Sequence, residues 1–168
     1  MRRITAIFFG SVAAAMLATP AFAQCDKVKG KMTEIPVDPF AAPGDPFGRT
    51  VVSTQGNLSA TGTAVLTSVG PGPTPGTLGA TSRYVLVFSP ADQLIASGNL
   101  VITPIPNASD VSTTLTLAIV GGRGKYAGAT GAIEATGTGF NFFPLPPGPS
   151  AANALTFEYT FSGQICTP

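Results

Sequence analysis

Proton transfer is the chemistry that the ionisable side chains of this sequence could support, and two glutamates are the candidates for it. Glu134 and Glu158 each lie in a stretch of alternating residues, on the side otherwise occupied by Thr, Ala, Ser and Gln. A carboxyl group on such a polar side faces water, whereas one that points into an apolar interior acquires a raised pKa and can act as a general acid or base. We therefore assign no catalytic residue and retain Glu134 and Glu158 as weak candidates.

Other chemistries are excluded by what the sequence lacks. There is no histidine, so Ser-His-Asp and Cys-His nucleophiles and His-based metal sites are ruled out. In the glycine-rich stretch, Gly128 comes one residue too late for a dinucleotide-binding loop, and Tyr126 occupies the Ser/Thr position of a phosphate-binding loop. We predict no metal and no cofactor.

The amino terminus has the features of an export signal. Two arginines precede an apolar run over residues 4–17, and an Ala-Phe-Ala sequence that a signal peptidase would recognise ends at Ala23. An apolar run of about 14 residues is shorter than the roughly 20 that span a bilayer. We expect residues 1–23 to be a signal peptide, with no stable membrane insertion of the chain. The expected product is a single periplasmic or extracellular domain over residues 24–168.

Charge gives no indication of a nucleic acid partner. The chain has nine Lys and Arg against eight Asp and Glu, and removal of the signal leaves seven against eight, a net charge of −1. A nearly neutral protein has little attraction for polyanions or for an acidic membrane surface. Lys27, Lys29 and Lys31 alternate along the chain and are expected on the solvated side of a strand.

The two cysteines, Cys25 and Cys166, stand at opposite ends of the mature chain. Export permits a disulfide, and the alternative is two free thiols. A bridge would close a loop of about 140 residues and stabilise the fold by roughly 4–5 kcal/mol in the chain-entropy model. It would also place the first and last segments side by side, as a sheet that closes on itself requires. We expect the disulfide.

The region after the signal is predicted to be all β. Phe157, Tyr159 and Phe161 alternate with polar residues, which is a strong strand pattern, and we expect these three rings on the inner face, near any ligand. The mature region has no convincing helical stripe. Eight strands are predicted, at 27–35, 50–57, 58–68, 83–89, 93–103, 112–120, 130–142 and 155–165.

Proline-rich stretches separate some of these strands. Proline lacks a backbone donor and cannot occupy a central strand, so the stretches are predicted to be stiff loops. They are residues 36–48, 70–79 and 144–149. The phenylalanines in or beside them are Phe40, Phe47, Phe142 and Phe143. These rings either cover the ends of the core or form an apolar rim around a ligand mouth or an oligomer contact.

One glycine-rich segment carries a family resemblance. Residues 121–131 read G-G-R-G-K-Y-A-G-A-T-G, which resembles the G-G-T-G-K-Y-x-G-A-x-G segment of the dirigent and allene oxide cyclase barrel superfamily, with Arg123 in place of the usual Thr. Residues 56–63 resemble the early strand pair of that family, and residues 92–98 resemble its D-G-Q-I-x-x-x-G strand. The order and spacing of the three segments agree over most of residues 50–140.

The resemblance implies an eight-stranded antiparallel β-barrel with a hydrophobic lumen, often assembled as a homotrimer. Its corner glycines would adopt positive φ or permit close strand crossing, and Tyr126 would pack across the turn. The residues assigned to this structural corner are Gly121, Gly122, Gly124, Tyr126, Gly128 and Gly131. The lumen residues of the plant enzymes do not align with this chain, so the resemblance transfers the fold and the corner only.

Three functions are compatible with such a barrel. It could bind a small hydrophobic ligand and orient its reaction without supplying an acid or base, as the resemblance to dirigent proteins implies. It could be an isomerase or cyclase of the allene oxide cyclase kind, in which confinement supplies most of the catalysis. It could instead be a structural or surface protein. Eight strands permit either a filled interior or room for one small ligand, and the ligand-binding barrel is our preferred interpretation.

Overall fold

The computed structural model describes residues 23–38, 48–142 and 155–168. Residues 1–22 of the predicted signal peptide, Phe40, Phe47, Phe143 and the predicted loop at 144–149 lie outside the described residues. The described residues form eight strands and a 3-10 turn at Gly124–Tyr126. The strands are β1 Gln24–Asp38, β2 Arg49–Gly56, β3 Ala60–Pro71, β4 Leu78–Val87, β5 Gln93–Pro104, β6 Val111–Arg123, β7 Thr130–Phe140 and β8 Thr156–Thr167.

Strand pairing closes the sheet into a barrel. Each strand pairs antiparallel with the next one along the chain, and β1 pairs antiparallel with β8. The predicted all-β class and the eight-stranded antiparallel barrel are therefore confirmed. Apolar residues at every second position make one side of each strand hydrophobic, and closure buries these sides against one another.

The seam between β1 and β8 is held by a covalent bond as well as by hydrogen bonds. Cys25 lies directly opposite Cys166 and forms a disulfide with it, which confirms the predicted pairing. The two cysteines are 141 residues apart in sequence, and a cross-link over such a loop stabilises the fold by about 5 kcal/mol in the chain-entropy model. The bridge is consistent with an oxidising compartment.

Two proline-rich segments enter the strands further than the sequence predicted. β1 continues through Pro36 before its register shifts. β3 reaches Pro71, which lies opposite Leu78, so β4 begins earlier than predicted. The loop predictions for 36–48 and 70–79 were therefore too broad. Both prolines lie near strand ends, where a missing backbone donor is tolerated.

The glycine-rich corner joins β6 to β7. Positive φ, which other residues rarely adopt, occurs at four of its glycines, namely Gly121, Gly124, Gly128 and Gly131. Gly122 lies within β6, opposite Leu94. The ring of Tyr126 packs against Phe88 with centroids 4.6 Å apart, and the Lys125 Nζ lies 4.9 Å from the centroid of the Tyr126 ring. These contacts attach the corner to the connection between β4 and β5.

The two ends of the barrel differ in how the strands are connected. At the closed end, the short connections 57–59, 88–92 and 124–129 join consecutive strands, and the disulfide lies at this end too. At the open end, residues 72–77 join β3 to β4 and residues 105–110 join β5 to β6. Buried apolar side chains fill the barrel toward the closed end, whereas the open end contains a cavity.

Candidate functional site

A cavity of about 290 Å³ lies at the open end of the barrel. Its apolar walls include Leu66, Leu100, Ile102, Phe142, Leu155 and Phe157. Its polar lining residues include Glu34, Thr50, Ser82 and Tyr84. The volume is about twice that of an engineered 150 Å³ cavity that binds benzene, so a small organic molecule fits. At the closed end, the space between Leu86, Leu117 and Phe161 is only about 10 Å³.

Glu34 brings a carboxyl group to the lining of this cavity. It follows the inward alternation of β1, on which Val28 and Met32 are also buried, and 3% of its surface is exposed. The Tyr84 hydroxyl donates a hydrogen bond of 2.7 Å to its Oε1. Burial raises the pKa of Glu34 to about 7, and the hydrogen bond from Tyr84 limits the rise. A group that titrates near neutrality can both accept and return a proton at physiological pH.

Tyr84 occupies a space left by a glycine in the neighbouring strand. A Cβ on Gly98 of β5 would lie 2.5 Å from the Tyr84 ring carbon Cε2, so a larger residue would displace the ring. Tyr84 is only 2% exposed. Burial, followed by the negative charge of Glu34, raises the pKa of Tyr84 well above its usual value. The hydroxyl therefore stays protonated and remains a donor to Glu34.

Three buried hydroxyl oxygens lack a hydrogen-bond partner in the part of the chain that the structure describes, namely Thr50 Oγ1, Thr113 Oγ1 and Tyr159 OH. Thr113 and Tyr159 flank Gly137 in the sheet, and their hydroxyls approach one another without the geometry of a hydrogen bond. Burial, followed by the charge of Glu34, raises the pKa of Tyr159 well above its usual value, so it stays neutral. An unpaired buried hydroxyl destabilises a fold by about 1–3 kcal/mol. Such groups indicate where a polar atom of a ligand or a water molecule is expected.

These residues place a titrating carboxyl group and several hydroxyl groups beside an apolar chamber. The arrangement can hold a ligand by its apolar body and fix one polar group, or it can move a proton within an enclosed substrate. Within 23–38, 48–142 and 155–168, no group of three or more acidic or cysteine side chains is placed to hold a metal ion. Nor do these residues include a helix that is long and apolar enough to cross a membrane.

The inward orientation predicted for the aromatic residues of β8 is confirmed. Phe157, Tyr159 and Phe161 are exposed over 6%, 3% and 3% of their surfaces. Phe157 lines the cavity, with the Tyr159 ring stacked 6.3 Å away and the Phe142 ring 6.2 Å away. Phe161 lies instead among the packed side chains of the closed end. A ligand contact therefore remains a prediction for Phe157 and Tyr159, whereas Phe161 is placed away from the cavity.

Glu134 and Glu158 lie on the outer surface of the barrel, where both side chains are exposed. Glu134 has Thr116 and Ser162 as its neighbours across the sheet, and Glu158 likewise has a threonine on each side. Either glutamate would have to point into the barrel to act as a buried acid or base, and neither does. Among the described residues, the carboxyl group that does point inward is that of Glu34.

Sequence reasoning missed Glu34, Tyr84 and the unpaired hydroxyls. A signal for Glu34 was present, because Lys27, Lys29 and Lys31 are expected outside, which turns the even-numbered residues of β1 inward. The structure shows this parity, since all three lysines are exposed and Glu34 is buried. Tyr84 gave no comparable signal, because its contact with Glu34 depends on how strands that are far apart in sequence pack inside the barrel.

Comparison with known proteins leaves the chain without an assigned family. No protein-family model matches it, and no curated protein matches it either. Among solved structures, a pterocarpan synthase dirigent protein is similar to the chain, with 17% sequence identity over 96% of this chain and 99% of that chain, and a TM-score of 0.30. At that score the match supports no structural or functional argument, and the barrel fold rests on its own strand pairing.

Proposed function

We propose that this barrel binds one small, mainly apolar ligand in the cavity at its open end. The supporting observation is an apolar space of about 290 Å³ that is lined by the carboxyl group of Glu34 and the unpaired hydroxyl of Thr50. Apolar walls with a few convergent polar groups are typical of a ligand site. A purely structural barrel would be expected to fill both ends with side chains, because open space and unpaired polar groups destabilise a fold.

We extend the proposal to an exported protein that orients its ligand for a reaction completed by another catalyst. The resemblance of residues 121–131 to the dirigent and allene oxide cyclase superfamily supports this role. The disulfide supports an oxidising compartment. The homotrimer that the resemblance implies remains a prediction, which sedimentation equilibrium would check.

Binding of 2-naphthalenemethanol, an uncharged fluorescent molecule, tests the ligand site. Ala80 lines the cavity and is 7% exposed, so Ala80→Phe places a ring in the space that the ligand needs. Ala118 is exposed on the outer face of β6, so Ala118→Phe is a matched control. We expect saturable binding to the wild type and to Ala118→Phe, and affinity weaker by a factor on the order of ten or more in Ala80→Phe. Equal binding by the two variants, or no saturable binding to the wild type, would contradict the proposal.

A proton-transfer enzyme is a second candidate, and Glu34 is the observation that favours it. Its pKa of about 7 suits a group that takes a proton from one atom of an enclosed substrate and returns it to another. Tyr84 would orient the carboxyl group through its hydrogen bond to Oε1. This candidate corresponds to the isomerase or cyclase alternative that the family resemblance implies, in which confinement of the substrate supplies much of the catalysis.

Deuterium exchange into 2-tetralone, a small ketone with acidic protons beside its carbonyl group, measures proton abstraction without the natural substrate. In deuterium oxide near neutral pH, NMR should show faster exchange with the wild-type protein than in buffer if the protein is an enzyme of this kind. Glu34→Gln should remove the acceleration, because an amide cannot accept the proton. Binding of 2-tetralone without faster exchange would count against the enzyme and favour the non-catalytic barrel.

A further inference from the structure

Among the described residues that line the open-end cavity, the buried side chain that can carry a charge is Glu34. Glu34 is an acidic lining residue, and the titratable side chains that interact with it are Tyr84 on β4 and Tyr159 on β8, both of which stay neutral. Among the described lining residues the cation is Arg49, which is exposed at the start of β2. No cationic group among the described residues contributes to the pKa of Glu34. The buried carboxylate therefore has a hydrogen bond but no counter-charge.

The carboxylate of Glu34 has acceptor sites beyond the one that Tyr84 occupies. Its Oε1 accepts the bond from Tyr84, and the two carboxylate oxygens together offer about four acceptor sites. An ionised carboxylate accepts hydrogen bonds and cannot donate them. The polar side of the cavity therefore offers a ligand an acceptor that carries negative charge.

We propose that the cavity selects ligands whose polar end is a hydrogen-bond donor, with an ammonium group preferred to a hydroxyl group and a carboxylate excluded. This selection rests on the proposed ligand-binding function and narrows its ligands to apolar amines and alcohols. A protonated amine would make a charge-assisted hydrogen bond to Glu34, which is stronger than a neutral one. A ligand carboxylate would place a second negative charge beside Glu34, and like charges repel strongly where water is scarce.

Protonation of Glu34 makes the selection depend on pH. Burial raises its pKa to about 7, against the smaller opposing effect of the Tyr84 hydrogen bond. Below that pH the carboxyl group holds a proton, which must leave before an ammonium group can be paired. Tyr84 and Tyr159 do not change charge in this range, because burial raises the pKa of both well above the usual value. The affinity for an amine should fall by about tenfold per pH unit once the pH is below the pKa of Glu34.

Three probes with one naphthalene body and different polar ends test the selection, namely naphthalen-2-ylmethylamine, 2-naphthalenemethanol and 2-naphthoate. Fluorescence titration gives the Kd of each for the wild type, for Glu34→Gln and for Asp26→Asn, a control that removes an exposed carboxylate from the same strand. At about pH 8, we expect the wild type to bind the amine on the order of tenfold more tightly than the alcohol, and the carboxylate on the order of tenfold more weakly. Glu34→Gln should bring the three Kd values within about threefold, and Asp26→Asn should match the wild type.

If Glu34→Gln does not fold, a change of pH removes the charge of Glu34 in the wild-type protein and tests the same selection. A change from about pH 8 to about pH 5.5 should abolish the advantage of the amine over the alcohol. Equal affinity for amine and carboxylate at about pH 8, or an advantage that survives both low pH and Glu34→Gln, would overturn the selection and leave the binding function standing. If the alcohol does not bind at all, the binding function itself is wrong, and the selection is wrong with it.

Discussion

The closed and open ends of the barrel are built from the same eight strands but bury their interiors to different degrees. β5 passes through both ends, and its Leu94 is 0% exposed at the closed end, whereas its Leu100 is 9% exposed and lines the cavity. The space between side chains is about 10 Å³ at the closed end and about 290 Å³ at the open end. The disulfide also belongs to the closed end.

Buried polar groups follow the same division. At the closed end, the Thr54 hydroxyl donates to the Leu58 carbonyl and accepts from the Ala60 backbone N–H at 2.9 Å. Toward the open end, the hydroxyls of Thr50 and Tyr159 have no partner among the described residues. Unpaired polar groups and open space both lower stability. The comparison therefore indicates that the closed end supplies the stability that permits an incompletely satisfied site at the open end.

Removal of the disulfide should cause the largest loss of stability and would measure how strongly the closed end depends on this bond. In Cys25→Ser combined with Cys166→Ser, the free energy of unfolding should fall by about 5 kcal/mol, because the unfolded chain regains the entropy of an open loop. Urea denaturation of the oxidised wild type and the double variant measures the difference. Since the bridge lies away from the cavity, 2-naphthalenemethanol affinity should change by less than about threefold. A loss below about 1 kcal/mol would mean that the hydrogen-bonded ladder alone holds the seam.

One substitution made at each end of β5 compares the packing directly. Leu94→Ala removes contacts on all sides and should lower the free energy of unfolding by about 4 kcal/mol. Leu100→Ala should lower it by about 2 kcal/mol, because this side chain already borders open space. Urea denaturation at one pH, with the disulfide intact, provides both values. Equal losses at the two positions would contradict the difference in packing between the ends.

The stability of the open end should depend on pH through Glu34. The pKa of Glu34 is about 7 in the fold and 4.5 ordinarily, so the folded protein holds the proton more tightly than the unfolded chain does. The contribution of Glu34 to the free energy of unfolding is fully present below about pH 4.5. It is lost as the pH rises to about 7, which lowers the free energy of unfolding by about 3 kcal/mol. Glu34→Gln buries no charge, so its free energy of unfolding at about pH 8 should exceed that of the wild type by a similar amount.

Unfolding of both proteins by urea at about pH 5 and about pH 8 isolates the contribution of Glu34 as a difference between them. Glu158→Gln removes an exposed carboxylate from the outer surface and should follow the wild-type profile. Parallel pH profiles for the wild type and Glu34→Gln would mean that the buried carboxyl group is hydrated through the cavity and is not penalised by burial.

The sequence predicted those features of the fold that depend on residues close together in one strand or on the positions of the two cysteines. The alternation around Phe157 and Tyr159 gave the inner face of β8, because side-chain direction reverses at every residue of a strand. The position of Cys25 and Cys166 near the ends of the chain indicated the seam. The loop predicted at 70–79 began too early, because β3 extends to Pro71.

The candidate site could not be predicted in the same way. The Tyr84 to Glu34 bond joins residues 50 positions apart, on strands that are not neighbours in the barrel. The position of the cavity depends on which interior residues are small, such as Ala80, and on the large residues that face them across the barrel. Neither quantity can be read from one strand. Only the inward direction of Glu34 was available from its own strand.

The polar cluster draws on the first and last strands of the barrel, where Met32 of β1 lies opposite Tyr159 of β8. A nascent chain that has not yet released β8 lacks Tyr159 and the wall that Phe157 provides. Contacts between such distant parts of a sequence form slowly during folding, and a slip of one residue in β8 would turn both rings to the outside. The pairing of Cys25 with Cys166 holds that alignment. Under the proposed ligand-binding function, competence to recognise a ligand is therefore the last property that the folding polypeptide acquires, and ligand recognition would report that its remote ends have joined in the correct alignment.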